Sequence, residues 1–71
     1  MNICEIKAGR EYTVRGLRGG GDERQRLLDL GFTPGTRFTV FNIAPGGGTA
    51  LLGLRGYMLA LRQRACSLIV I

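Results

Sequence analysis

Apolar and polar positions alternate with a period of two through most of the chain and shift once to helical spacing. The opening segment Cys4-Glu5-Ile6-Lys7 turns at Ala8-Gly9. Tyr12, Val14 and Gly16 then alternate with Thr13, Arg15 and Leu17, which predicts a strand over residues 11–17. Leu27, Leu28 and Leu30 form an apolar side against Arg24 and Arg26, which predicts one short helix over residues 23–30. Asp22 is expected to cap it, with Gln25 three residues on at capping-box spacing. Gly31 stands where a left-handed residue ends a helix. Phe32 follows, placed to pack back on Leu27 in a Schellman motif. Pro34-Gly35 predicts a type II turn.

The remainder reads as β. Thr36 to Ile43 is rich in β-branched and aromatic residues. Phe38 and Val40 share one face and Phe41 and Ile43 the other, so a bulge or sharp bend is expected near Val40-Phe41. After the loop Pro45 to Gly48, Ala50, Leu52 and Leu54 alternate within Thr49 to Arg55. Arg55-Gly56 makes a tight turn into a strand where Tyr57, Leu59 and Leu61 alternate with Met58, Ala60 and Arg62. Gln63 to Ser67 has room for a single helical turn, and Leu68 to Ile71 ends the chain as a strand. Five short strands and one helix after the first of them fit an all-β, SH3-like barrel, because strands this short must curl to hide their edges. An OB-like barrel is the competitor and needs longer strands.

Size sharpens this picture. The chain has 71 residues, which is one domain spanning 1–71. Ordering it costs on the order of 100 kcal/mol at ~1.5 kcal/mol per residue. With 45% hydrophobic residues, few can be spared for display. Twelve glycines suit tight turns better than a helical bundle. The longest apolar runs are about five residues, as in Tyr57 to Leu61, against the ~20 of a membrane helix. No basic start precedes an apolar core and a cleavage site, so a cytoplasmic, soluble protein is expected.

Charge and chemistry narrow the function. No His is present, which excludes a Ser-His-Asp triad and His-based zinc sites. Cys4 and Cys66 lie far apart with no CxxC, so both are expected to be small apolar fillers, with an adventitious soft metal as their weak alternative. The five carboxylates offer no evident iron(II) cage, so no metal site and no cofactor are expected. Gly19-Gly20-Gly21 precedes a helix N-terminus, yet no Gly-Lys-Ser or Gly-Lys-Thr follows, which argues against nucleotide binding. Ten Lys and Arg against five Asp and Glu give a net charge of +5. Nine of the ten are Arg, scattered along the chain and with few aromatics to interleave, so nucleic acid is not the expected partner. An acidic partner or an anionic membrane face suits that charge better.

The run Arg26-Leu27-Leu28-Asp29-Leu30-Gly31-Phe32-Thr33-Pro34-Gly35-Thr36 resembles the central signature of the FeoA family, ferrous iron transport protein A. Leu54 to Arg62 resembles its second signature, Leu68 to Ile71 its last strand, and Ile6-Lys7-Ala8-Gly9 its opening turn. The resemblance implies an SH3-like barrel with no chemistry of its own. It further implies an adaptor that regulates FeoB, a membrane protein with a cytoplasmic G domain, and that meets the membrane through that partner only. The chain is also similar to the C-terminal SH3-like module of metal-dependent repressors. Two departures stand out. The loop Pro45 to Thr49 lacks the family's second proline and acidic residue, and Gln63-Arg64-Ala65-Cys66 lacks an acidic residue common there.

Adjacent helical residues stand ~100° apart, so Leu27, Leu28 and Leu30 cannot all face inward and at least one should be partly exposed. Docking is therefore expected through Leu27 to Gly35 and the Arg55-Gly56-Tyr57 hairpin. Leu27, Leu28, Leu30, Phe32, Arg55 and Tyr57 are the candidate contacts. Gly31, Pro34, Gly35 and Gly56 hold the turns in shape. The alternatives are a nucleic-acid-binding small barrel and a detached repressor-type SH3 module. Exposed strand edges and leftover apolar surface leave room for weak self-association.

Overall fold

A computed structural model describes residues 1–71. The strand predicted over 11–17 is two strands, β1 (Glu11–Thr13) and β2 (Gly16–Leu17), which brings the total to six. Alternation runs unbroken through both, but the pairing partner changes between them. Val14 donates its N–H to Thr36 at 2.8 Å, and Arg15 donates to Val70 at 2.7 Å. β1 pairs with β3 (Arg37–Ile43), whereas β2 pairs with β6 (Ile69–Val70). Periodicity reports which face is buried, not which neighbour is bonded.

A four-stranded antiparallel sheet runs in the order β1, β3, β4 (Thr49–Leu54), β5 (Tyr57–Arg62). With the β2–β6 pair it curls around a core that includes Phe32, Phe38, Val14, Val40, Leu52 and Ile69. β4 alternates as expected, with Ala50, Leu52 and Leu54 all buried. The rings of Phe32 and Phe38 meet edge to face, 5.9 Å between centroids. One turn of helix, α2 (Gln63–Cys66), links β5 to β6.

Helix α1 (Gly21–Leu30) follows β2 and begins earlier than predicted. No side chain caps it; Gly20 is the N-cap. Asp22 instead lies in the first turn with Glu23, where the helix dipole favours carboxylates. Gln25 is drawn away from any capping role, since its Nε2 donates to Asp29 at 3.0 Å. The capping box lies elsewhere, at a short 3-10 turn over Ile3–Glu5. There Asn2 accepts from Cys4 N–H at 2.9 Å, and Glu5 accepts from Asn2 N–H at 3.1 Å.

The bulge is where it was expected. Val40 faces Leu52 while Asn42 faces Leu51, and Phe41 is the extra residue between them. Its ring lies across Gly53, where an added Cβ would stand 2.1 Å from Phe41 Cε2. Gly53 is thus the seat that lets an aromatic ring lie flat on the sheet.

Only one cysteine is a core filler. Cys66 is buried and Cys4 is exposed, and both are free thiols. Burial pushes the Cys66 thiol above its ordinary 9.0. The unfolded chain therefore ionises this thiol first. Full stability from it holds below about pH 9 and declines as pH rises further toward the folded-state value. Native protein should accordingly react with a thiol reagent at Cys4 alone, and at both cysteines once denatured. The denaturation midpoint should fall between about pH 8 and about pH 10, by a smaller amount in Cys66→Ala. Equal native reactivity of the two thiols would contradict this burial.

Candidate functional site

The end of α1, the turn after it and the β4–β5 hairpin tip meet on one side of the barrel. Phe32 N–H donates to Leu27 and Gly31 N–H to Leu28, both at 3.0 Å, the bond pair of a Schellman motif. Gly31 holds φ +112° as the chain turns out of the helix. Thr36 N–H then donates to Thr33 at 3.0 Å, closing the Thr33-Pro34-Gly35-Thr36 turn with a positive φ at Gly35, as a type II turn needs. At the hairpin, Arg55 and Gly56 both have positive φ, the geometry of a two-residue type I′ turn.

Two side chains fasten the hairpin to the helix end. Arg55 Nη2 donates to the hydroxyls of Thr33 at 3.1 Å and Thr36 at 3.3 Å, and those hydroxyls bond each other at 2.8 Å. Tyr57 donates its hydroxyl proton to the carbonyl of Leu30. Carbonyls in the last turn of a helix have no partner within it, so Tyr57 completes the helix terminus. The Arg55 guanidinium also brings positive charge to the negative end of the helix dipole.

The docking candidates separate by burial. Leu27 and Phe32 are 2% and 0% exposed, and a partner cannot reach them without opening the core. They hold the face from behind. Leu28 and Leu30 are half-buried, as the angular argument required of at least one leucine. Arg55 and Tyr57 are exposed, with Tyr57 at 40%. Pro34, Gly35 and Gly56 are exposed turn residues, and Gly31 is buried between helix and hairpin.

Two surface residues escaped the sequence reading. Phe41 and Met58 are 51% and 61% exposed and line a shallow groove of about 460 Å³ that also includes Tyr57. Across it lies the exposed Arg37–Glu11 pair at 3.7 Å. The bulge was the available signal, because an extra residue in a strand is pushed out of the alternation.

The surface offers contact chemistry: half-buried leucines, a phenol, two hydroxyls and a guanidinium. No polar or charged residue is buried, and nowhere do three His, Cys, Asp or Glu side chains gather. No helix is long and apolar enough to cross a membrane.

Curled short strands with one helix packed at the barrel's side, and a hairpin tied to that helix, define a small SH3-like domain. A family model described as the FeoA domain matches residues 1–71. The chain belongs to the FeoA family.

Solved structures agree on the fold. Iron(II) transport protein A of Clostridium thermocellum is similar with a TM-score of 0.88 and 24% identity, over 99% of this chain and 43% of that one. This chain thus spans less than half the length of that protein. FeoA of Chlorobium tepidum gives a TM-score of 0.83 and 30% identity, over 99% of this chain and 67% of that one. FeoA of Stenotrophomonas maltophilia, complexed with zinc, gives 0.82 and 23%, over 99% of this chain and 87% of that one. That protein is described as a procaryotic SH3 domain protein and put forward as a ferrous iron transport activating factor. No curated protein matches the chain.

Proposed function

We propose that this protein is a non-enzymatic, cytoplasmic regulator of ferrous iron transport that docks onto a FeoB-type membrane G protein. Leu28, Leu30, Arg55 and Tyr57 form the contact face, and Leu27, Phe32 and Gly31 support it. The observation that carries this reading is the double fastening of the hairpin to the helix end by Arg55 and Tyr57. It leaves half-buried Leu30 beside an exposed phenol on a frame that is already ordered. A preformed face loses little freedom on binding, so modest apolar contact suffices for specific docking. The protein meets the membrane through its partner only, and its +5 charge favours an acidic face there.

Leu28→Glu tests the reading. The substitution is at a half-buried position, so circular dichroism and amide spectra should match the parent protein. Retention on membranes that contain the transporter should fall by about a hundredfold, the loss typical of a central contact residue. Parent-like folding with parent-like retention would refute the face. Recovery of RNA or ribosomes from the same lysate, with no transporter, would replace the reading with nucleic-acid binding.

A further inference from the structure

Strand β5 borders the four-stranded sheet, and its outer edge has no β partner. The hairpin determines which of its backbone groups are free. A two-residue loop makes Leu54 and Tyr57 a hydrogen-bonded pair, and antiparallel bonding alternates from there. Leu59 with Leu52 and Leu61 with Ala50 continue the bonded pairs. Met58 and Ala60 therefore turn their N–H and C=O groups outward, and no hydrogen bond beyond the β4 ladder engages them. Proteins normally blunt such an edge with proline, a bulge or inward charge, and β5 has none of these before its final Arg62.

Beside this edge runs a groove of about 550 Å³ between α1 and β5. Leu30 and the buried Leu27 line it from the helix, Leu59 and Ala60 from the strand. Its rim carries Arg26, Arg62 and Arg64 against one acid, Glu23. Glu23 is paired with Arg64 at 3.5 Å, so Arg26 and Arg62 retain unmatched charge. The groove thus joins three recognition elements: free main-chain donors and acceptors, an apolar floor and a cationic rim.

We propose that the β5 edge takes up an extended acidic segment of another protein as an added strand. Main-chain bonds to Met58 and Ala60 supply affinity, alternate apolar side chains enter the groove, and carboxylates meet Arg26 and Arg62. A second copy of this chain fits poorly, since its own β5 would bring another Arg62 and a net charge of +5 to the same rim. The proposal does not depend on the transporter reading, because the two surfaces share only Leu30 and the buried Leu27 beneath it.

The test uses the full chain, isotope-labelled, with a synthetic peptide alternating valine and glutamate and its lysine counterpart. The glutamate peptide should shift the Met58 and Ala60 amide signals and slow their hydrogen exchange. Its binding should weaken about tenfold or more between about 0.05 and about 0.5 M salt, as screening shortens the reach of the rim charges. The lysine peptide should leave both amides unchanged. Ala60→Pro should abolish binding with the fold intact, since proline is tolerated on an edge strand whose N–H faces outward. Arg26→Glu combined with Arg62→Glu should exchange the preference between the two peptides, a result that owes nothing to the proline variant's folding. Unshifted Met58 and Ala60 signals at about 1 mM glutamate peptide, a contact of only about 4 kcal/mol, would overturn the proposal. So would exchange already slow without peptide and slowing further with protein concentration, which would make the occupant a second copy. Failure here with transporter retention intact removes this inference and leaves the docking face standing.

Discussion

Phe32→Ala should remove about 3–5 kcal/mol of the domain's stability. Its ring is fully buried, meets Phe38 edge to face, and follows the helix stop where the Schellman bonds pin it against Leu27. Truncating a buried Phe to Ala costs about 3–5 kcal/mol. A 71-residue domain has roughly 4–11 kcal/mol in total at typical per-residue stability. One substitution thus removes a large part of it, and at the lower end all of it. Phe32→Leu keeps more of the volume and should cost about 1–2 kcal/mol. Urea denaturation followed by near-ultraviolet circular dichroism separates the two. The result also fixes the meaning of lost docking at this position. A folded Phe32→Ala that had lost only its partner would make Phe32 a contact residue after all, against its burial.

The difference between Phe32 and Leu28 marks how far sequence reasoning reaches. Local signals were legible wherever one residue type carries a geometry: Gly31 at the helix stop, Pro34-Gly35 in the turn, Arg55-Gly56 in the hairpin. Each was placed correctly, because backbone conformation at these points depends on neighbours a few residues away. The bulge at Phe41 was legible for a similar reason, as a break in alternation. What the pattern did not contain was the third dimension. It put Leu27, Leu28, Leu30 and Phe32 in one candidate patch, and only burial in the folded chain separates Leu27 and Phe32 from the half-buried Leu28 and Leu30. Tyr57 bonding to Leu30 spans 27 residues, and Arg55 reaching Thr33 spans 22. No local spacing encodes such pairs. Asp22 failed for the opposite reason. A plausible capping spacing competed with a glycine-rich entrance and an Asp29 side chain that claimed Gln25.

Gly31→Ala should damage both stability and docking, and the second by more than the first explains. At φ +112° the residue lies beyond the left-handed well near +57° that Asn or Ala can occupy. An added Cβ would also stand 3.4 Å from Leu54 Cδ1 and from Arg55 Cδ. Backbone strain of this kind costs about 1–3 kcal/mol. Those contacts are ordinary in length, so the strain lies in the backbone and its relief requires the chain to rotate at the helix stop. That rotation would stretch the Arg55 bonds to Thr33 and Thr36 and the Tyr57 bond to Leu30, which together order the proposed docking face. Gly35→Ala is the matched control. Its φ is +91°, yet an added Cβ there meets nothing within 4 Å. That variant should show the strain alone, about 1–2 kcal/mol for a side chain in a left-handed conformation, with docking close to the parent protein. Coupling supplies the sharper test. If Arg55 shares the rotation at the helix stop, the penalties of Gly31→Ala and Arg55→Ala should fall short of additive by about 0.5 kcal/mol or more, as for side chains in contact. Additive penalties, or equal losses from Gly31→Ala and Gly35→Ala, would mean that the hairpin is not braced by the helix stop. The proposed docking face would then owe its order to Tyr57 alone.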